Sequence, residues 1–175
     1  MKLVVQVKLL PMPEQALALE ATLRACNQAA THASGVAFAR SLKDRNGLQK
    51  AVYGDLKASF GLSAQPAVRV VKKVVDAYAA LKANLRAPNL GPPTSKRHRS
   101  AVGSPVVFRP EAAQPFDDRC LSWQYDARTV SIWTVGGRMK GVRFACAPRS
   151  RPGAPARPPV ASPGGRGRNT VMPRR

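Results

Sequence analysis

Carboxylates are scarce in this chain: 9 Asp and Glu stand against 29 Lys and Arg in 175 residues, a formal net charge of +20. Past Asp126 there is none at all. A two-metal nuclease needs several acids converging from separate elements, and Asp117-Asp118 is the one adjacent acidic pair. Followed by Arg119, that pair reads better as a turn into a strand, so no catalytic residue is assigned. Thiols are equally few. Cys26, Cys120 and Cys146 are far apart and odd in number, which excludes a disulfide framework and a C-x-x-C zinc knuckle. They read as reduced thiols of a cytoplasmic protein. His32 and His98 lack partners at metal-ligand spacing, so neither a metal nor a cofactor is expected. No apolar run approaches the ~18 residues of a membrane span. The opening residues meet Pro11 before any signal-peptide core can form, so no membrane partner is expected. A Gly-rich phosphate loop and a nucleophile elbow are missing as well.

What is abundant is positive charge, and a field of that sign favours a polyanion. Nucleic acid is the default partner; a merely basic soluble or ribosomal protein is the plainer alternative. Part of the charge sits in the last 28 residues, which hold seven Arg, seven Pro and four Gly and no acid. Such a stretch has too little apolar surface to offset the entropy of ordering it. Residues 148–175 are therefore expected to form a disordered tail.

Before that tail the periodicities are regular. Lys2 to Leu9 alternates as a strand with Leu3, Val5, Val7 and Leu9 on one face. Pro13 and Glu14 suit the first turn of a helix, whose inner face is Ala16, Leu19, Leu23, Cys26, Ala30, Ala33 and Ala37. Asn46-Gly47 signals a turn. A second helix carries Leu48, Val52, Leu56 and Phe60 and stops at Gly61. Ser63 then caps a third, with the stripe Ala67, Val70, Val74, Tyr78, Leu81 and Leu85. Residues 91–104 read as a basic linker without a period. Short strands follow at Val106–Arg109, Cys120–Tyr125, Thr129–Val135 and Arg138–Ala145, with a hairpin signal at Gly136-Gly137. The fold class expected is α+β.

Three groups of residues bear on binding. Helix–turn–helix geometry is suggested over residues 48–87, with Arg69, Lys72 and Lys73 near the start of the second helix and Lys82 and Arg86 further along it; an αα-hairpin with a solvated basic face is the alternative. Lys96, Arg97 and Arg99 in the linker can neutralise phosphates without reading sequence. Arg119, Arg138 and Lys140 stand near Trp123, Tyr125 and Trp133 on the late strands. These aromatics would either stack bases or fill a small barrel, and core filling is the better reading for Trp133.

Lys2-Leu3-Val4-Val5-Gln6-Val7-Lys8-Leu9-Leu10-Pro11 with Pro13-Glu14-Gln15 resembles the start of TnpB proteins, the OrfB-type RNA-guided nucleases of bacterial insertion sequences. Phe60-Gly61-Leu62-Ser63-Ala64-Gln65 running into Val70-Val71-Lys72-Lys73-Val74-Val75-Asp76-Ala77-Tyr78 is similar to that family's helical segment. Pro115-Phe116-Asp117-Asp118-Arg119, Val130-Ser131-Ile132-Trp133-Thr134 and Gly137-Arg138-Met139-Lys140 resemble the strands after it. The resemblance covers about residues 1–147, in order. It implies a small β-barrel-like wedge domain (1–10 and 105–147) split by an inserted three-helix recognition lobe (11–90). It also implies DNA and guide RNA as partners, with the family's recognition-helix cations falling on Arg69, Lys72 and Lys73 and its wedge cations on Arg119, Arg138 and Lys140, and with sequence read by RNA–DNA pairing. The family's ribonuclease-H-like domain and zinc-binding insert have no counterpart here, and Gly141-Val142-Arg143 departs from the expected strand. The expectation is a truncated, non-cutting transposase-related protein, its tail the scar of a lost nuclease, with a separately encoded nuclease half as a further partner. A free-standing helix–turn–helix DNA-binding protein and a non-functional decayed transposase reading frame are the rivals.

Overall fold

Alternation in the first strand puts Val7 and Leu9 half inside and leaves Lys8 and Leu10 exposed, giving β1 at Val7–Leu10. The computed structural model describes residues 5–42 and 44–146. The expected tail over 148–175 and the start of the expected opening strand lie outside the described residues. Val5, expected on the core face, is 67% exposed.

Pro11 ends the strand, and α1 runs from Pro13 to Ala39. Its start is fixed by Met12, whose N–H donates to Gln15 Oε1 at 3.0 Å. The buried stripe of α1 is made of small residues, Cys26, Ala29, Ala30, Ala33, Ser34 and Ala37. Small side chains let a neighbouring helix approach closely. α2 spans Arg45–Ala58 and α3 spans Ala64–Arg86. Leu48, Val52 and Leu56 of α2 and Ala67, Val70, Val71 and Val74 of α3 join that stripe in one buried cluster. Each fully buried valine or leucine there contributes about 1.5–3 kcal/mol by leaving water. Between α2 and α3, Gly61 takes φ +63, the left-handed conformation that glycine tolerates without a Cβ clash.

Asn46-Gly47 is not a turn; it lies in the first turn of α2. The reason is Asp44, whose carboxylate accepts from Gly47 N–H at 2.6 Å and so caps the helix. A Cβ at position 47 would meet Asp44 Oδ1 at 2.8 Å, so the glycine makes room for the cap. The stretch read as a linker, 91–104, also folds: after a 3₁₀ turn at Pro88–Leu90 it forms α4 at Lys96–Gly103. Ser95 caps α4 by accepting from His98 N–H at 3.1 Å, and the prolines stay outside it.

Three strands complete the sheet: β2 at Leu121–Gln124, β3 at Thr129–Thr134 and β4 at Gly137–Cys146. The protein is thus α+β, with four α-helices and one four-stranded antiparallel sheet among the described residues, in the order β1-β4-β3-β2. This sheet is open, which corrects the expected barrel. β1 pairs with β4 and β2 with β3, and among the described residues no pairing joins β1 to β2. Val106–Arg109, expected to supply another strand, adds none, because Phe108 N–H donates to Thr31 Oγ1 at 3.1 Å and ties the segment to α1. The sheet has its own cluster, Val130, Ile132, Val142 and Phe144, against which Leu19 of α1 packs. β3 and β4 pair from Thr134↔Gly137 to Ile132↔Met139, then shift, so that Lys140 and Gly141 together face Ser131. Gly141, at φ +72, permits that bulge.

Candidate nucleic-acid interface

The stripe of α3 faces the helical core, so its cations are distributed around the remaining surface. Those in its first half do not stand free. Arg69 closes on Asp117, with Nε at 3.1 Å and Nη2 at 2.6 Å from Oδ2. Their side chains are 29% and 13% exposed. The guanidinium's hydrogen bond holds the Asp117 carboxyl below its ordinary pKa. Lys73 donates to Asn27 Oδ1 and lies 5.1 Å from the centre of the Phe108 ring. Burial lowers its pKa, the nearby Cys26 opposing this. Lys72 pairs with Asp76 one turn along. Arg69 and Lys73 therefore bind α3 to the segment between α4 and β2.

Asn27 completes that attachment. It is fully buried, and its amide donates to the carbonyls of Pro110 at 2.8 Å and Ala112 at 2.9 Å. Sequence reasoning missed Asn27, since a lone amide on a helical face carries no local signal. Cys26 and Cys120 are buried free thiols. Burial pushes each up to about 11, so both stay protonated, with the Asp117 hydrogen bond adding to the shift at Cys120. The side chain of Cys146 lies outside the described residues.

The cations of the second half of α3 and of α4 differ. Lys82, Arg86, Lys96, Arg97 and Arg99 are all exposed, and no carboxylate among the described residues lies within 4.0 Å of them. The two helices border one hollow, which Leu81 of α3 lines with Lys96 and Arg97 of α4. The structure thus leaves these five of the eleven expected binding cations without a carboxylate partner among the described residues, and Lys82, Lys96 and Arg97 line adjoining hollows.

On the sheet, Arg138 is spent on cross-strand bonds. Its Nε donates to Ser131 Oγ at 3.0 Å, Nη2 to Ser122 Oγ at 2.8 Å and Nη1 to the Arg119 carbonyl at 2.8 Å. Arg119 and Lys140 are exposed. Lys8 and Arg143, not singled out from the sequence, are exposed on adjacent strands; Lys8 faces Ala145 and Arg143 faces Leu10 across the β1–β4 ladder. Their period-two placement was the available signal. Trp133 packs against the helical cluster, so it is a core residue as expected, although the core is that of the helices and not of a barrel. Trp123 meets Phe144 edge-on at 4.9 Å. Tyr125 lies parallel to Trp123 with ring centres 6.4 Å apart and is 74% exposed.

Among the described residues no three His, Cys, Asp or Glu side chains come together as a metal site. No described helix is long and apolar enough to cross a membrane. Comparison of the chain with protein-family models, with curated proteins and with solved structures gives no match.

Proposed function

We propose that this chain is a cytoplasmic nucleic-acid-binding protein resembling the wedge and recognition parts of TnpB, which grips DNA and guide RNA by their phosphates and does not itself cut them. The observation that carries the reading is the set of exposed cations without carboxylate partners among the described residues, Lys82, Arg86, Lys96, Arg97 and Arg99, three of which line adjoining hollows. Such groups release counterions from a phosphate backbone and give salt-dependent affinity without base reading. In this reading the sheet is the wedge, and the helices between β1 and β2 are the inserted lobe. The pairing of β1 with β4 across that insertion supports the assignment. A helix–turn–helix reader is disfavoured, because Arg69 and Lys73 on the first half of α3 are engaged with Asp117 and Asn27.

The test is fluorescence anisotropy of the full chain with labelled single-stranded and duplex oligonucleotides between about 50 and 200 mM salt. Replacing the five cations by Gln should flatten the plot of log K against log salt by about 0.9 for each duplex phosphate that is no longer neutralised. Arg69→Gln should lower stability and leave that slope alone. An unchanged slope in the five-fold variant sinks the assignment, as does magnesium-dependent cleavage of the DNA by stringently purified protein.

A further inference from the structure

Phe38, Val75, Tyr78, Leu85 and Val102 line a groove of about 490 Å³ between the end of α1, the second half of α3 and α4, with Lys82 among them. Phe38 is 40% and Val102 52% exposed. Single exposed apolar side chains are ordinary, whereas several converging in one groove mark a surface that is covered in use. A second hollow joins it at Leu81, Ala101 and Ser104 and adds Lys96 and Arg97. No Asp or Glu among the described residues lines either one. The floor is apolar and every charge at its margin is positive.

We propose that this groove docks an acidic amphipathic helix of a partner protein, its apolar face against Phe38, Val75, Leu85 and Val102 and its carboxylates toward Lys82, Lys96 and Arg97. Val75 to Leu85 spans about 15 Å of α3 at ~1.5 Å per residue. That length seats anchors at i, i+3 or i+4, and i+7 of a visiting helix. Charge selects the occupant. A second copy brings another +20, and the stretch after Pro148 carries seven arginines and no acid; both are repelled by this margin. The inference goes beyond phosphate binding, although it shares three cations with it, so an acidic helix and nucleic acid compete for this side of the molecule.

The test uses two labelled peptides of identical Leu, Ala and Glu composition, one with leucines at helical three–four spacing and one scrambled, titrated with the full chain at about 0.15 M salt, where exposed charges are screened beyond ~8 Å. The amphipathic peptide should bind at least tenfold more tightly. Val102→Ser, at an exposed position, should bring it down to the scrambled level while leaving the circular-dichroism melt and oligonucleotide binding intact, since it changes no charge; Phe38→Ser should act the same way. Oligonucleotide binding thus reports on the phosphate reading separately. Equal binding of the scrambled peptide, equal binding of a Lys-for-Glu version, or indifference to both substitutions overturns the proposal. Self-association of the chain through this groove in sedimentation, abolished by Val102→Ser, would overturn it in favour of a second copy.

Discussion

Asn27→Asp separates two roles that the wild-type amide performs together. Its Nδ2 donates to two carbonyls, Pro110 and Ala112, and its Oδ1 accepts from Lys73. Carbonyls only accept and an ammonium only donates, so the amide satisfies all three partners in one orientation. Aspartate keeps an oxygen toward Lys73 but turns another against the two carbonyls. Each broken bond that strands a buried acceptor costs about 1–3 kcal/mol. The new attraction to Lys73 returns little of this, because the added carboxylate is buried and its desolvation offsets the Coulombic gain. The expected net loss is about 3 kcal/mol, a large share of the ~5–15 kcal/mol that holds a domain together. Asn27→Ala should lose as much. Lys73→Met, which keeps both carbonyl bonds and removes an ammonium that burial disfavours, should cost only about 1 kcal/mol. Urea denaturation followed by circular dichroism gives the three values, and limited proteolysis shows whether cleavage appears between residues 105 and 119. An aspartate variant as stable as wild type, or Lys73→Met more damaging than Asn27→Ala, would refute the reasoning. Asn27 would then serve Lys73 and not the segment it straps down.

Three further outcomes are expected. The Asp117 carboxyl is held below its ordinary value of 3.8, first by the Arg69 hydrogen bond. Its stabilisation is therefore complete above that value and lost as pH falls through the lower folded-state value. Acid titration of the melting temperature should show a steeper fall below pH ~4 in wild type than in Asp117→Asn, with linkage requiring the difference; identical profiles would remove the ion pair from the account. Gly141→Ala places a side chain at φ +72 and should destabilise by about 1–2 kcal/mol. Gly54→Ala, inside α2 with open space at its Cβ, should instead stabilise by a few tenths to about 1 kcal/mol. Urea melts of the two variants check both signs.

Elements whose cause is local were readable in the chain. The three–four spacing of Cys26, Ala30, Ala33 and Ala37 announces a closely packed helix, and Leu48, Val52 and Leu56 announce the next. The strands around Trp123, Trp133 and Met139 were readable by alternation and turn residues. α4 was hidden because Gly91, Pro92, Pro93 and Gly103 surround an eight-residue helix with breaker signals. Whether a sheet closes is a property of strand pairing, which no single strand's composition encodes. The same holds for the cations: Arg69 meets Asp117 48 positions away and Lys73 meets Asn27 46 positions away. A strongly basic composition makes every Lys and Arg look available for a ligand. Only long-range packing shows which of them are already in use.

The pairing of β1 with β4 also sets a schedule. Leu10 stands in register with Arg143, roughly 130 residues later in the chain, and ribosomes add about 5–20 residues per second. The first strand to be made therefore waits on the order of ten seconds for its neighbour, exposing an unpaired edge. Meanwhile α1, α2 and α3 share one buried cluster that depends mainly on one another. During synthesis the helices are in place before the sheet can exist, and the sheet assembles against a body already formed.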